Sequence, residues 1–390
     1  MRPLTRSAEL GVLTGAKVAS NVALRWVGVF LPTLERAFGT TTGTMTGVMG
    51  VAELGGLSTV VTGRALDRGH ERRFFQLGLI AIAASSLIAL GGSITTFAVS
   101  FAVLVVGVNH FTIAGHAWIG HRVPYQGRSR AIGIFETSWA ISLLVGAPIL
   151  ALLIRWVGWR GPYIALAVAC VLAALVVRAT VSASELAVPD DPLSVKVRLS
   201  VKVRLPPSAW PPMLASASTA ATGIGIFVVS GTWLDDAHGV STAGLGLIAA
   251  GFGAVELASS STVALIADRH GARRSVIAGL LLVGAGITAM AVSGQSQVVA
   301  VIGLLLFLAG FEYAFVASLT LVTEAAPEAR GRAIGISNAF GTIARAGAVV
   351  TSGQLYEAFG MTGSLILATA TGTTALVLII SVTDGVRHHL

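Results

Sequence analysis

Seven charged side chains stand inside stretches that are otherwise apolar: Lys17, Arg25, Glu53, Glu136, Glu256, Glu312 and Arg345, accompanied by Asn21, Asn109, His110 and His116. A charge at the middle of a bilayer costs roughly 2.5–3.5 kcal/mol on insertion scales. Such groups therefore face one another or a water-filled cavity, and they mark substrate or proton paths. Lys17, Asn21 and Arg25 are spaced i, i+4, i+8, which puts them on one helix face. Asn109, Thr112 and His116 share another face by i, i+3, i+7 spacing. Carboxyl and imidazole groups can each bind and release a proton, which is the chemistry of a proton relay. For His110 the plain alternative is a packing histidine. Glu136 can pair with Lys17 or Arg25, and Glu312 can be neutralised by Lys17 or Arg345.

No catalytic constellation and no metal site is expected. His116 and His121 stand i, i+5 apart, a spacing that does not converge on a metal. A Gly-Lys-Ser phosphate loop is absent from the sequence, so ATP hydrolysis does not power this chain. No cofactor is expected.

The elements that must hold these groups are membrane helices. The chain has 390 residues, 54% of them hydrophobic and 11% charged, against about a quarter charged in soluble domains. A spanning helix needs roughly 20 mostly apolar residues. Candidate spans are 10–34, 43–64, 74–93, 97–119, 131–154 and 160–181, then 212–234, 243–265, 275–294, 297–320, 332–354 and 362–383. The first run is interrupted by Lys17 and Arg25 and no small-residue cleavage site follows it, so it does not read as a signal peptide. The lone cysteine, Cys170, lies in an apolar run and forms no intrachain disulfide.

Twelve spans place both ends on one side. The loops on that side carry Arg64, Arg68, Arg72, Arg73, Arg122, Arg128, Arg130, Arg269, Arg273, Arg274, Arg330 and Arg332, while the opposite loops hold only Arg36, Arg155 and Arg160. By the positive-inside rule both termini are cytosolic. The net charge of +8 resides in these loops, with no basic helix interleaved with aromatics, and nucleic acid is not expected as a partner. Residues 182–211 hold five prolines and the tandem SVKVRL at 194–199 and 200–205. They read as a cytosolic linker between bundles at 1–181 and 212–390. The basic strip within it is alternatively a surface for anionic lipid headgroups.

The two bundles repeat one another. LERAFG at Leu34–Gly39 matches LDDAHG at Leu234–Gly239, and RSRAIGI at Arg128–Ile134 matches RGRAIGI at Arg330–Ile336. Glu53-Leu54 matches Glu256-Leu257, and Asp67-Arg68 with Arg72-Arg73 matches Asp268-Arg269 with Arg273-Arg274. All these shifts lie between 200 and 203 residues. The repeated Glu53 and Glu256 suit a role common to both bundles, in gating or interhelical bonding. Lys17, Asn21 and Arg25 correspond instead to Ala217, Ala221 and Gly225, an asymmetry that suits a substrate wall.

GRALDRGHERR from Gly63 and its echo DRHGARR from Asp268 resemble the loop signature of the major facilitator superfamily. Arg25 followed by Phe30-Leu31-Pro32, the GIFETSW and Gly146-Ala147-Pro148 segments, and Phe311-Glu312-Tyr313 are similar to the twelve-helix drug:proton antiporter and arabinose-efflux-like branch. The resemblance covers essentially the whole chain. It implies an all-α membrane fold of two pseudo-symmetric six-helix bundles whose first, fourth, seventh and tenth helices line a central cavity. His110 and Glu312 would then face each other at similar depth. The loop Asp and Arg residues, Gly63, Asp67, Arg68, Arg72, Arg73, Asp268, Arg269 and Arg273 with Arg130 and Arg332, would latch the bundles together. The expected function is proton-driven efflux of a small hydrophobic or amphipathic compound by a monomer in a bacterial cytoplasmic membrane. The alternatives are a carrier of small organic anions using the cations of the first and eleventh helices, or a non-transporting receptor or lipid scramblase.

Overall fold

The computed structural model describes residues 5–59, 62, 65, 66, 68–182, 205–326 and 330–382. The duplicated SVKVRL, except Leu205, lies outside them, as do Gly63 and Asp67. The described chain is helical: α1 (Arg6–Val29), α2 (Leu31–Phe38), α3 (Thr42–Glu53), α4 (Glu71–Ala89), α5 (Ile94–Arg122), α6 (Tyr125–Ile141), α7 (Ala147–Val157) and α8 (Arg160–Thr180). The second half follows as α9 (Trp210–His238), α10 (Thr242–His270), α11 (Ala272–Ala291), α12 (Gln297–Glu324), α13 (Arg330–Phe359) and α14 (Met361–Ser381).

Ten described helical stretches are long and apolar enough to cross a membrane. The first predicted span falls outside this set for a visible reason, and the second includes residues outside those described. The first carries Lys17, Asn21 and Arg25 and breaks at Phe30, where Pro32 at the start of α2 removes an N–H and crowds the preceding turn. The second passes from α3 into a 3-10 turn, Leu54–Ser58, at the Gly55-Gly56 pair. The fifth span is interrupted too: a π turn, Ser142–Gly146, joins α6 to α7 just ahead of Pro148.

The repeat read in the sequence recurs in the backbone. Eight glycines have positive φ, and they form four pairs, Gly39 with Gly239, Gly69 with Gly271, Gly92 with Gly294 and Gly158 with Gly360. Equivalent turns in the two halves thus use the same left-handed positions, which only glycine adopts without penalty.

The halves meet along α1 with α9, α3 with α13, and α6 and α7 with α10. Glycines permit the closest approaches. A methyl on Gly231 would strike the Val29 carbonyl, and one on Gly50 would strike Val350 and the Ala346 carbonyl. These contacts lie toward the end that carries the α2–α3 and α9–α10 connections, called the outer end below.

Candidate substrate and proton site

The polar face of α1 is buried against α6. Lys17, Asn21 and Arg25 are 2%, 1% and 4% exposed. Lys17 Nζ donates to Glu136 Oε1 at 2.6 Å, Asn21 Nδ2 to Ser138 Oγ at 3.1 Å, and Arg25 Nη1 to the Trp139 carbonyl at 2.8 Å. Of the two partners expected for Glu136, the structure selects Lys17. His116 Nε2 donates to the same Glu136 Oε1 at 2.8 Å, so one carboxylate oxygen holds two neighbours. The Lys17 ammonium also sits 4.2 Å from the Phe135 ring centroid, a cation–π contact.

Arg25 ties the halves together. Its Nη1 and Nη2 donate to the two carboxylate oxygens of Glu256 at 2.8 and 2.5 Å, a bidentate pair buried at both ends. The guanidinium stacks over Trp139 at 4.2 Å and Phe227 at 5.3 Å. Glu53, the repeat equivalent of Glu256, meets Arg345 at 3.6 Å. Both repeated glutamates therefore bridge the halves, but with arginines from unrelated positions.

Glu312 differs from every other carboxylate in the spans. It is buried, accepts from Ser260 Oγ at 2.6 Å, and has no cationic partner within ion-pair distance among the described residues. Neither Lys17 nor Arg345 neutralises it. It lies within electrostatic reach of Glu256, Arg25 and Glu136.

His110 takes the packing position. Its Nδ1 bonds to the Val106 carbonyl at 2.8 Å and its ring stacks on Phe74 of α4, 5.9 Å away. The structure does not bring His110 and Glu312 together, because the register of α5 turns His110 toward its own bundle. Asn109 donates to the Val105 carbonyl at 2.8 Å and lies against Gly56.

Two of the loop arginines reach backbone carbonyls of their own half. Arg72 donates to the Arg178 carbonyl at 2.5 Å, and Arg273 to the Ile379 and Ile380 carbonyls at 3.2 and 2.8 Å. Each arginine caps the last helix of its own half, where unsatisfied carbonyls attract a cation. Arg68, Arg73, Arg130 and Arg332 are exposed. The side chains of Asp268 and Arg269 are not among those described.

Sequence reasoning missed a polar seam at the outer end. Arg36 pairs with Asp235, Thr232 Oγ1 donates to Glu35 Oε1 at 3.2 Å, and Tyr356 donates to Asp236 Oδ2 at 3.2 Å. The signal was available: Glu35-Arg36 and Asp235-Asp236 occupy the matched Leu34–Gly39 and Leu234–Gly239 segments. Burial is the main force raising the affinity of Glu35 for a proton. Bonds from Thr42 and Thr232 oppose it, nearby Asp236 adds to it, and Arg36 opposes it.

A model of the Major Facilitator Superfamily matches residues 15–231 and, a second time, residues 213–389. The chain belongs to this superfamily. It is an integral membrane transporter with the major facilitator fold, not an enzyme. Over 298 residues it is 28% identical to a chloramphenicol resistance protein of Streptomyces lividans, covering 75% of this chain and 73% of that one. Solved structures share the fold at low identity. The inward-open xylose transporter XylE from E. coli matches with a TM-score of 0.77 at 14% identity, covering 97% of both chains. A bacterial homolog of the human lysosomal transporter Spinster matches with a TM-score of 0.74 at 15% identity, over 97% of this chain and 94% of that one.

Proposed function

We propose that this transporter exchanges protons for a small hydrophobic or amphipathic compound, which it exports by alternating access across a bacterial cytoplasmic membrane. Both termini are cytosolic in this reading, the working unit is a monomer, and the proton gradient is the driving force. The supporting observation is Glu312, the membrane-embedded carboxylate that lacks a compensating cation among the described residues. A carboxyl with no counter-charge can exchange a proton as water, substrate or a cation enters or leaves its surroundings. In the cycle, Glu312 releases a proton to the cytosol as substrate enters and takes one up from outside as substrate leaves. One charge moving through 100 mV is worth about 2.3 kcal/mol, enough for a roughly 50-fold gradient of solute.

Efflux is supported by the relative that carries chloramphenicol resistance in its name. The organic-anion alternative loses its motive, because Lys17, Arg25 and Arg345 each meet a carboxylate. The test uses purified protein in liposomes under an imposed pH gradient, with chloramphenicol as the first solute. Wild type moves protons and solute together, while Glu312→Gln binds solute but loses proton-driven accumulation. A Glu312→Gln variant that accumulates solute as wild type does would overturn the proton assignment.

A further inference from the structure

Three adjacent hydroxyls of α10 direct their bonds differently. Ser261 donates to the Leu257 carbonyl and Thr262 to the Ala258 carbonyl, each at 2.7 Å and one turn back along the helix. That is the common local bond of a helical serine or threonine. Ser260 forgoes it and donates instead to Glu312 Oε1 on α12, at 2.6 Å. Glu256 stands one turn before Ser260, so one face of α10 carries both the partner of Arg25 and the donor to Glu312. Of the helices packed on α12, α10 brings Glu256 and α13 brings Arg345, each engaged by its own counter-ion, while residues 212–234 of α9 and 275–291 of α11 carry no charge. Arg25 and Glu136 also act on Glu312 through their fields, and neither is bonded to it. The first half lacks this arrangement. A methyl on Gly78 would strike the Gly107 carbonyl, and one on Gly279 would strike the Gly310 carbonyl. These matching contacts align Gly107 with Gly310, the same offset of 203 that relates Glu53 to Glu256. At that offset Leu57 corresponds to Ser260 and Asn109 to Glu312. Leu57 has no donor to offer, and Asn109 donates to the Val105 carbonyl of its own helix. The repeated fold therefore packs without this hydroxyl–carboxyl pair, which the second half adds.

We infer that Ser260 is a positioning residue for the proton site: its hydroxyl holds Glu312 Oε1 and leaves Oε2 to take up and release the proton. This rests on the transport reading above, in which Glu312 is the proton carrier. The bond survives both states of the carboxyl. Oε1 accepts when Glu312 is ionised, and it still accepts when the proton sits on Oε2. A carboxyl held by one oxygen keeps its orientation through the exchange, so the proton is offered from a fixed place. Without the hydroxyl, Glu312 has neither a cation nor a donor among the described residues to fix it.

Infrared difference spectra of the purified full-length protein in lipid vesicles, recorded from pH 5 to pH 9, test this with no transported solute. A protonated-carboxyl C=O band present in wild type and absent from Glu312→Gln belongs to Glu312. In Ser260→Ala that band moves to higher frequency, because the carbonyl oxygen Oε1 loses its donor, and its titration midpoint is displaced by about one pH unit. Ser260→Thr, which keeps a hydroxyl, retains the wild-type band and midpoint. Ser261→Ala removes the neighbouring hydroxyl that bonds its own helix and leaves both unchanged. Ser260→Cys, a weak donor of similar size, moves the band in the same sense and serves where the alanine variant does not fold. A band and midpoint in Ser260→Ala that match wild type, or equal displacements in Ser260→Ala and Ser260→Thr, overturn the inference while Glu312 stands as the proton carrier. If Glu312→Gln removes no band, Glu312 exchanges no proton in this range and both readings fall.

Discussion

Arg25 shows what a buried cation demands of its surroundings. Its two Nη groups engage Glu256 and the Trp139 carbonyl, and two aromatic rings flank the guanidinium. Removing one partner of such a pair strands the other charge, at a cost of about 3–5 kcal/mol. Arg25→Ala and Glu256→Ala should therefore each lower the melting temperature sharply, while the double variant Arg25→Met/Glu256→Leu recovers most of the loss. Melting curves of the purified variants check this. A lysine at position 25 should rescue poorly, because a point charge reproduces neither the bidentate fork nor the stacking. The Glu53–Arg345 pair spans 3.6 Å and both partners are partly exposed. Its loss should cost no more than about 1 kcal/mol. The contrast tests whether the two repeat-related glutamates, similar in sequence, differ in weight because of their partners.

At the scale of helices, the paired arginines of the loops act as C-terminal caps. Arg72 serves α8 and Arg273 serves α14, and the caps stand 201 residues apart, in register with the repeat. Each supplies donors to carbonyls that have no partner within the helix. Arg72→Ala should accelerate amide hydrogen exchange over residues 174–180 and leave α14 unchanged; Arg273→Ala should do the converse. Exchange that rises in both halves for either variant would instead support a latch across the halves. The same register explains why the loop motif occurs twice, since each bundle must tie its last helix to the start of its third span. Whether Asp67 reaches across the halves lies outside the described residues.

For the whole molecule, the outer seam makes closure sensitive to acid. It brings Glu35 of α2 against Thr42 of α3 and Thr232 and Asp236 of α9, with Asp235 and Tyr356 close by and Arg36 as the nearby cation. Burial chiefly, and the field of Asp236 secondarily, raise the proton affinity of Glu35 in this closed arrangement. Opening exposes Glu35 and returns it toward an ordinary carboxyl. Closure therefore takes up a proton: it is favoured at pH below the raised value and weakened as pH climbs through it. Spin labels at the exposed positions 156 and 359, read as distance distributions from pH 5 to pH 8, should shift toward the short distance in acid. Glu35→Gln should hold the short distance at all these pH values, while Glu312→Gln retains the response. A Glu35→Gln variant that responds as wild type does would show that another group governs closure.

Much of this was legible in the residues alone. Hydropathy and the repeat offset of 200–203 residues implied two bundles of six helices, because crossing a bilayer requires a run of apolar residues of set length and duplicated bundles keep matching positions. The i, i+4, i+8 spacing placed Lys17, Asn21 and Arg25 on one face, since helix geometry alone settles which residues of one helix stand together. Partners on other helices were another matter. That Glu136 meets Lys17 and His116, that Arg25 reaches Glu256, and that His110 turns to Phe74 depend on the rotation and depth of each helix against its neighbours. Those are set by ridge-and-groove packing at close glycine contacts and by the breaks at Phe30 and Ser142–Gly146. That Glu312 has no ion-pair partner among the described residues was decided in the same way. Sequence lists the charges, but only the packed helices determine which of them is left without a counter-charge.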